Sequence, residues 1–277
     1  MLKVLELFGG IGAPRKALER LGIDIKVVDY VEIDKYAVAS YNAIYNENFK
    51  TQDICCWDKD IKADLIFHGS PCQDFSIAGK QAGADEGSGT RSSLMYETLR
   101  IVEKVNPKYV IWENVKNVLS KKHVHNFRKY LNELEDLGFN NYFQVLNAKD
   151  YGIPQNRERI FVISIKKDID NKMFKFPEKQ KLELKLKDIL ENQVDNRYYL
   201  DNEIIKKYIP VNEKGNVIGK LNMDKWQDHM KRIYNINKYS PAINTMQGGN
   251  LEPKILLKER CNENAYNNNK CSYTRKI

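Results

Sequence analysis

Short apolar runs alternate with helical patterns as far as Ile165. Val4–Phe8 precedes a helical stretch at Pro14–Leu21, Ile25–Ile33 precedes Lys35–Tyr45, and Leu65–Phe67 precedes Leu94–Val105. Tyr109–Trp112, Phe127–Leu137, Tyr142–Leu146 and Ile160–Ile165 continue the alternation. Apolar runs bounded by turn residues suit strands buried on both faces, and apolar positions three and four apart suit the helices that cover them. The pattern predicts an α/β fold, a doubly wound Rossmann-like sheet, mostly parallel, with helices on both faces. Pro14 favours the first turn of the first helix, where its missing N–H would have had no intrahelical partner.

After Ile165 the rhythm fails. Lys166–Lys187 is dense in lysine, and scattered aromatics, prolines and glycines follow. A domain change is expected near residue 190, giving a catalytic domain over 1–190 and a smaller, irregular domain over 191–277. Charge is unevenly placed as well: the first 160 residues hold 22 Lys and Arg against 22 Asp and Glu, so the whole net charge of +8 lies behind them. The back of the chain is therefore the candidate polyanion-binding part, with an ordinary basic surface as the alternative.

No apolar stretch approaches the ~18 residues of a membrane-spanning helix. The N-terminus lacks the layout of a signal peptide, so a cytoplasmic protein is expected. The 5 cysteines are odd in number and lack CxxC spacing, which argues against a disulfide framework or a zinc site. Cys55 and Cys56 are assigned to packing or surface. His123 and His125, two apart in a helix or its entry, do not share a face and are expected on solvated surface.

Phe8-Gly9-Gly10-Ile11-Gly12-Ala13-Pro14 joins the first strand to the first helix. Glycines there let backbone approach a ligand at the carboxyl edge of the sheet, although the spacing is not GxGxxG. Glu32 ends the second strand, where a carboxylate can accept from ribose hydroxyls. Asp53 is expected at the next strand end. Two acids and a glycine turn suit a nucleoside with no phosphate to neutralise, which points to S-adenosylmethionine rather than NAD.

Phe8–Gly12, Gly69-Ser70-Pro71-Cys72-Gln73, Glu113-Asn114-Val115 and Gln155-Asn156-Arg157-Glu158-Arg159 follow one another in order. In this set the chain resembles the cytosine-C5 DNA methyltransferases over nearly all of residues 1–165. The resemblance implies methyl transfer from S-adenosylmethionine, with S-adenosylhomocysteine as product, to a cytosine flipped out of duplex DNA. It makes Cys72 the nucleophile that adds to cytosine C6, a role suited to a thiolate. Glu113 is then the acid that contacts N3 and the exocyclic amine, Arg159 the contact to O2, and Arg157 a support of the same pocket. Phe8, Gly10, Gly12, Glu32, Ile33, Asp53, Ile54 and Pro71 form the donor-binding set. Taken singly, a turn cysteine, an N-cap acid and an arginine pair in salt bridges are ordinary features; jointly and in this order they favour catalysis.

Gln73, Ser76 and Lys80 are the expected DNA contacts near the nucleophile, and the glycine-rich run Ala78–Ser93 resembles the family's loop over the flipped base. Arg232–Asn250 resembles a target-recognition region, in which Arg232, Thr245, Gln247, Gly248 and Gly249 are candidates for DNA contact. A surface hairpin is the plainer reading of that stretch. Glu6 stands where the family usually has aspartate, and Ala13 where it usually has glycine. Nothing after Asn250 resembles the last two family motifs, so a truncated form or one subunit of a split enzyme is expected, with a second polypeptide as partner beside double-stranded DNA. A tRNA-methylating enzyme and a catalytically silent DNA-binding subunit are the alternatives.

Overall fold

The computed structural model describes residues 1–71, 94–243, 251–258 and 272–276. Cys72, Gln73, Ser76, Lys80, the run Ala78–Ser93, Thr245, Gln247, Gly248 and Gly249 lie outside these residues. The chain divides into two units, one of residues 1–146 and 159–177, the other of residues 147–158 and 178–277.

In the first unit β1 (Leu2–Leu7), α1 (Ala13–Arg20), β2 (Ile25–Val31), α2 (Lys35–Tyr45), β3 (Leu65–His68), α3 (Met95–Val105), β4 (Tyr109–Val115), α4 (Val124–Asp136) and β5 (Phe139–Asn147) follow in order. A two-residue strand of the second unit, β6 (Gln155–Asn156), then precedes β7 (Glu158–Lys166), which returns to the large sheet. The large sheet runs β2-β1-β3-β4-β7-β5. Its first four strands are mutually parallel and β7 joins β4 antiparallel. The expected Rossmann-like α/β architecture is observed.

Alternation along β4 explains how the sheet is covered. Val110, Trp112 and Asn114 are buried, whereas Tyr109, Ile111, Glu113 and Val115 are half-buried. The Trp112 face joins Phe127 and Tyr130 of α4 and Ile101 and Val102 of α3 in the main core. Ile111 and Tyr109 pack instead with Val4, Leu65 and Leu18 of α1. Truncating a buried residue the size of Trp112 to alanine costs about 3–5 kcal/mol, so this strand is fixed before any chemistry is considered.

Two expectations are corrected. His123 is buried, 1% exposed, at the entry to α4, while His125 is exposed. Thr51–Ile54 is no strand: Asp53 accepts the Cys55 N–H at 2.9 Å and opens a 3-10 turn, Ile54–Cys56. A side chain that caps its own backbone competes with ladder pairing.

The second unit contains β8 (Tyr208–Pro210), β9 (Val217–Leu221), β10 (Arg232–Tyr234), β11 (Ser240–Pro241), β12 (Lys254–Lys258) and β13 (Ser272–Lys276). Five of them form a sheet ordered β13-β12-β10-β9-β8, and β11 pairs with β6. Leu200, Leu221 and Ile233 form one buried cluster there, and Leu186, Tyr234 and Ile255 another. No helix among the described residues is long and apolar enough to cross a membrane.

Candidate active site

The turn from β1 to α1 depends on left-handed backbone, with φ of 52° at Phe8, 53° at Gly10 and 78° at Gly12. Two tyrosines lock it: Tyr30 donates to the Gly10 carbonyl and Tyr45 to the Gly12 carbonyl, each at 2.6 Å. Glu32 joins the turn to the end of β2, accepting from the Gly10 N–H at 3.1 Å and the Asp34 N–H at 2.9 Å. Glu6, 1% exposed, accepts from the Arg15 N–H at 3.2 Å and from Tyr41 at 2.6 Å, so the carboxylate inside the sheet anchors the first turn of α1.

Gly12→Ala is expected to destabilise the chain by about 2–4 kcal/mol, combining left-handed strain with overpacking. Its Cβ would lie 2.5 Å from the Tyr45 ring and 2.7 Å from the Tyr41 ring. Neither ring yields easily, because Tyr41 is fully buried and the Tyr45 hydroxyl is bonded to Gly12 itself. A urea midpoint equal to that of the unsubstituted chain would refute this.

A cavity of about 520 Å³ opens beside the turn, lined by Phe8, Val31, Glu32, Ile33, Asp34, Gln52, Asp53, Ile54, Gly69, Pro71 and Leu94. That size suits a small organic ligand. Of the eight residues named for the donor, Phe8, Glu32, Ile33, Asp53, Ile54 and Pro71 line it; Gly10 and Gly12 shape the turn without forming wall. Three acids meet apolar walls here, and neither lysine nor arginine lines the cavity among the described residues. Such a lining fits an uncharged nucleoside whose hydroxyls donate to carboxylates and whose base lies against aliphatic side chains. Val31, Asp34, Gln52, Gly69 and Leu94 line the cavity as well and lie outside the expected donor set. Gln52 had only its position beside Asp53 to signal it.

Asp29, 4% exposed, supports this wall from β2. It accepts from Gln52 Nε2 at 3.0 Å and Trp57 Nε1 at 2.8 Å, and pairs with Lys59 Nζ at 2.9 Å. Burial alone would raise its pKa, but Lys59, Trp57 and Gln52 together outweigh burial and hold the carboxyl below its ordinary value. With the folded-state pKa below the unfolded one, the stabilisation is fully present above the unfolded value, ~3.9, and is lost as pH falls through the folded value. Asp29→Asn is expected to cost about 1–3 kcal/mol at pH 7. The gap from the unsubstituted chain should narrow at pH 3. Urea unfolding at both pH values checks this, and an undiminished gap in acid would count against it.

β3 ends at His68, four residues before Cys72 in the sequence. His68, fully paired in register with Trp112, shares a 2.7 Å hydrogen bond between its Nε2 and the Tyr130 hydroxyl. Burial pushes it down to about 3, so the ring is neutral. Two residues on, Ser70 is gripped by β4: Trp112 Nε1 donates to its Oγ at 3.0 Å and Asn114 Nδ2 to its carbonyl at 3.1 Å. Sequence reasoning missed this grip, although Asn114 stood inside a quoted motif.

Glu113 projects from the other face of β4. Arg159 is opposite Val115 in the antiparallel β4–β7 register, which places Glu113 and Arg159 diagonally on one face. Their side chains meet, Arg159 Nε to Glu113 Oε1 at 3.2 Å, with exposures of 20% and 32%. Arg157 belongs to the second unit, where its N–H donates to Asn147 Oδ1 at 3.1 Å and β6 beside it pairs with β11. Arg232, on β10, is held by Asp228 through Nε at 2.8 Å and Nη2 at 2.5 Å.

The model of the C-5 cytosine-specific DNA methylases matches residues 2–277. Type II methyltransferase M2.ScrFI of Lactococcus lactis subsp. cremoris is 37% identical over 73% of this chain and 71% of its own length. Orphan methyltransferase M.SPBetaI of Bacillus phage SPbeta is 30% identical over 94% of this chain and 74% of its own. Among solved structures, a Spodoptera frugiperda DNMT2 variant superposes with a TM-score of 0.69 at 20% identity, covering 94% of this chain and 76% of that one. With a match running over residues 2–277, the chain belongs to the C-5 cytosine-specific DNA methylase family.

Proposed function

We propose that this chain transfers a methyl group from S-adenosylmethionine to C5 of a cytosine flipped out of duplex DNA, through a covalent adduct at Cys72. The observation that carries the reading is the cavity at the carboxyl ends of β1, β2 and β3, whose lining includes Glu32, Asp53 and Pro71, the residue before Cys72. The donor supplies an electrophilic methyl group. Glu32 and Asp53 would accept from its ribose and adenine, and Phe8, Ile33 and Ile54 would flank the base.

Cytosine C5 is a poor nucleophile until the ring becomes enamine-like. In this reading the Cys72 thiolate adds to C6, Glu113 donates a proton at N3, and Arg159 faces the charge that develops toward O2. Once C5 carries the methyl group its proton leaves to water, the C6–S bond breaks to release the Cys72 thiolate, and N3 returns its proton to Glu113. Arg157, Gln73, Ser76, Lys80, Arg232, Thr245, Gln247, Gly248 and Gly249 remain the proposed supports and DNA contacts. The catalytic domain is proposed over 1–190 and the recognition domain over 191–277, and a restriction-modification setting is proposed from the type II relatives.

The test supplies methyl-labelled donor with duplex DNA and with tRNA in separate reactions. Label at cytosine C5 in DNA is the expected result. Label in tRNA alone would replace the substrate, and label in neither would remove the activity.

A further inference from the structure

Gln52–Trp57 carries three residues of the cavity wall, Gln52, Asp53 and Ile54, yet it belongs to no strand. Its backbone is tied to β2 by the Gln52 N–H on the Glu32 carbonyl at 2.9 Å, and it is folded on itself by the bonds Cys56 N–H to Asp53 O at 3.1 Å and Trp57 N–H to Ile54 O at 3.2 Å. Side chains supply the rest of its placement. Asp29 holds it from the β2 side through Gln52 and Trp57.

From the other side comes Arg100, in the middle of α3. Its Nη1 donates to the Trp57 carbonyl and its Nη2 to the Ile54 carbonyl, both at 2.9 Å, while Nε is held by Glu97 Oε2 at 3.0 Å. All three guanidinium nitrogens are thus committed. The rigid fork spans both carbonyls at the end of the 3-10 turn, and Glu97 fixes its angle. Arg100 itself does not line the cavity.

We infer that Arg100 is a positioning residue for the methyl donor: it sets the Asp53–Ile54 wall at the distance the nucleoside requires, without touching the nucleoside. The inference rests on the reading of Asp53 as a donor-binding residue. A wall held on both sides keeps the Asp53 carboxylate aimed into the cavity. Without Arg100 the segment keeps its link to Asp29 but its far end is released. Donor affinity then falls through misplacement of Asp53, and the fold persists because the buried core of α3 lies on Ile101, Val102 and Leu99 rather than on Arg100.

Calorimetric titration of the full chain with S-adenosylhomocysteine tests this, using Arg100→Ala, Arg100→Lys, Asp53→Ala and the double variant Asp53→Ala/Arg100→Ala. Arg100→Ala is expected to weaken binding about tenfold, the scale of one coupled contact. Arg100→Lys should fall between, since one ammonium cannot span both carbonyls. The double variant should bind within about twofold of Asp53→Ala alone, because a residue that acts through Asp53 has nothing left to position. In turnover, the donor KM of Arg100→Lys should rise with kcat at saturating donor unchanged. Unaltered affinity in Arg100→Ala, or losses that multiply in the double variant, would overturn the inference while the donor reading stands on Asp53→Ala. Undiminished binding by Asp53→Ala would overturn that reading, and the inference with it.

Discussion

Cys72→Ser is expected to reduce methyl transfer to DNA by about 10³-fold or more, while duplex binding stays within about twofold. Adding to C6 disrupts the aromatic ring of cytosine, so the attacking group must be strongly nucleophilic and must leave again once C5 has lost its proton. A thiolate meets both conditions, whereas a serine hydroxyl is scarcely ionised at neutral pH. The two other thiols in the first unit do not offer a substitute. Cys55 and Cys56 are exposed, and partial desolvation of the Cys55 sulfur together with the Asp53 carboxylate pushes that thiol up, away from the thiolate form. The grip of Trp112 and Asn114 on Ser70 is untouched by the substitution, so the backbone up to Ser70 keeps its place. Labelled-methyl transfer and gel-shift titration on one duplex measure the two effects. Turnover by Cys72→Ser above a few per cent of the parent rate would assign the nucleophile elsewhere. A second readout is independent of rate: 5-fluorocytosine at the target should trap a covalent adduct with the parent chain and none with Cys72→Ser, since fluorine does not leave as the C5 proton does.

The first unit was legible because its information is local and periodic. Largely apolar strands such as Val4–Leu7, interrupted by Glu6, and alternating ones such as β4 announce themselves, and the helices α1, α3 and α4 carry clear apolar faces. Glu32, Phe8 and Pro71 could be placed at one sheet edge because in parallel strands the carboxyl ends coincide. The connection at Thr51–Trp57 was not legible, since Asp53 satisfies the backbone of its own turn and Gln52 bonds across to Asp29 and the Tyr30 carbonyl. Those are long-range choices with no periodic trace. His123 was misplaced for a related reason: spacing tells which residues share a face, but burial at a helix entry depends on what packs over it. The sheet of the second unit escaped because its strands are short and half polar. Arg232-Ile233-Tyr234 has one apolar residue fully buried between an ion-paired arginine and a tyrosine, and no pattern of period two can be read over so few positions.

Glu113→Gln is expected to lower the rate of the chemical step by about 10²–10³-fold with donor affinity unchanged within about twofold. The substitution preserves shape, and the Gln carbonyl oxygen can still accept from Arg159 Nε across the β4–β7 pair, where the carboxylate now sits at 3.2 Å. What the amide lacks is a transferable proton. As C6 is attacked, charge accumulates toward N3 and O2, and a donor that only hydrogen-bonds leaves the N3 charge in place where an acid would neutralise it. Donor affinity should be indifferent, because Glu113 is not among the residues that line the cavity. The clamp on Ser70 should be indifferent as well, because Trp112 and Asn114 point to the opposite face of β4. Single-turnover methylation under saturating donor isolates the chemical step, and titration with S-adenosylhomocysteine reads the pocket. Asp53→Ala supplies the mirror image, with weakened donor binding and a chemical step that recovers at saturating donor. If the two phenotypes were exchanged, with Glu113→Gln losing donor and Asp53→Ala losing chemistry, the roles assigned to the end of β4 and to the Gln52–Trp57 wall would both be wrong.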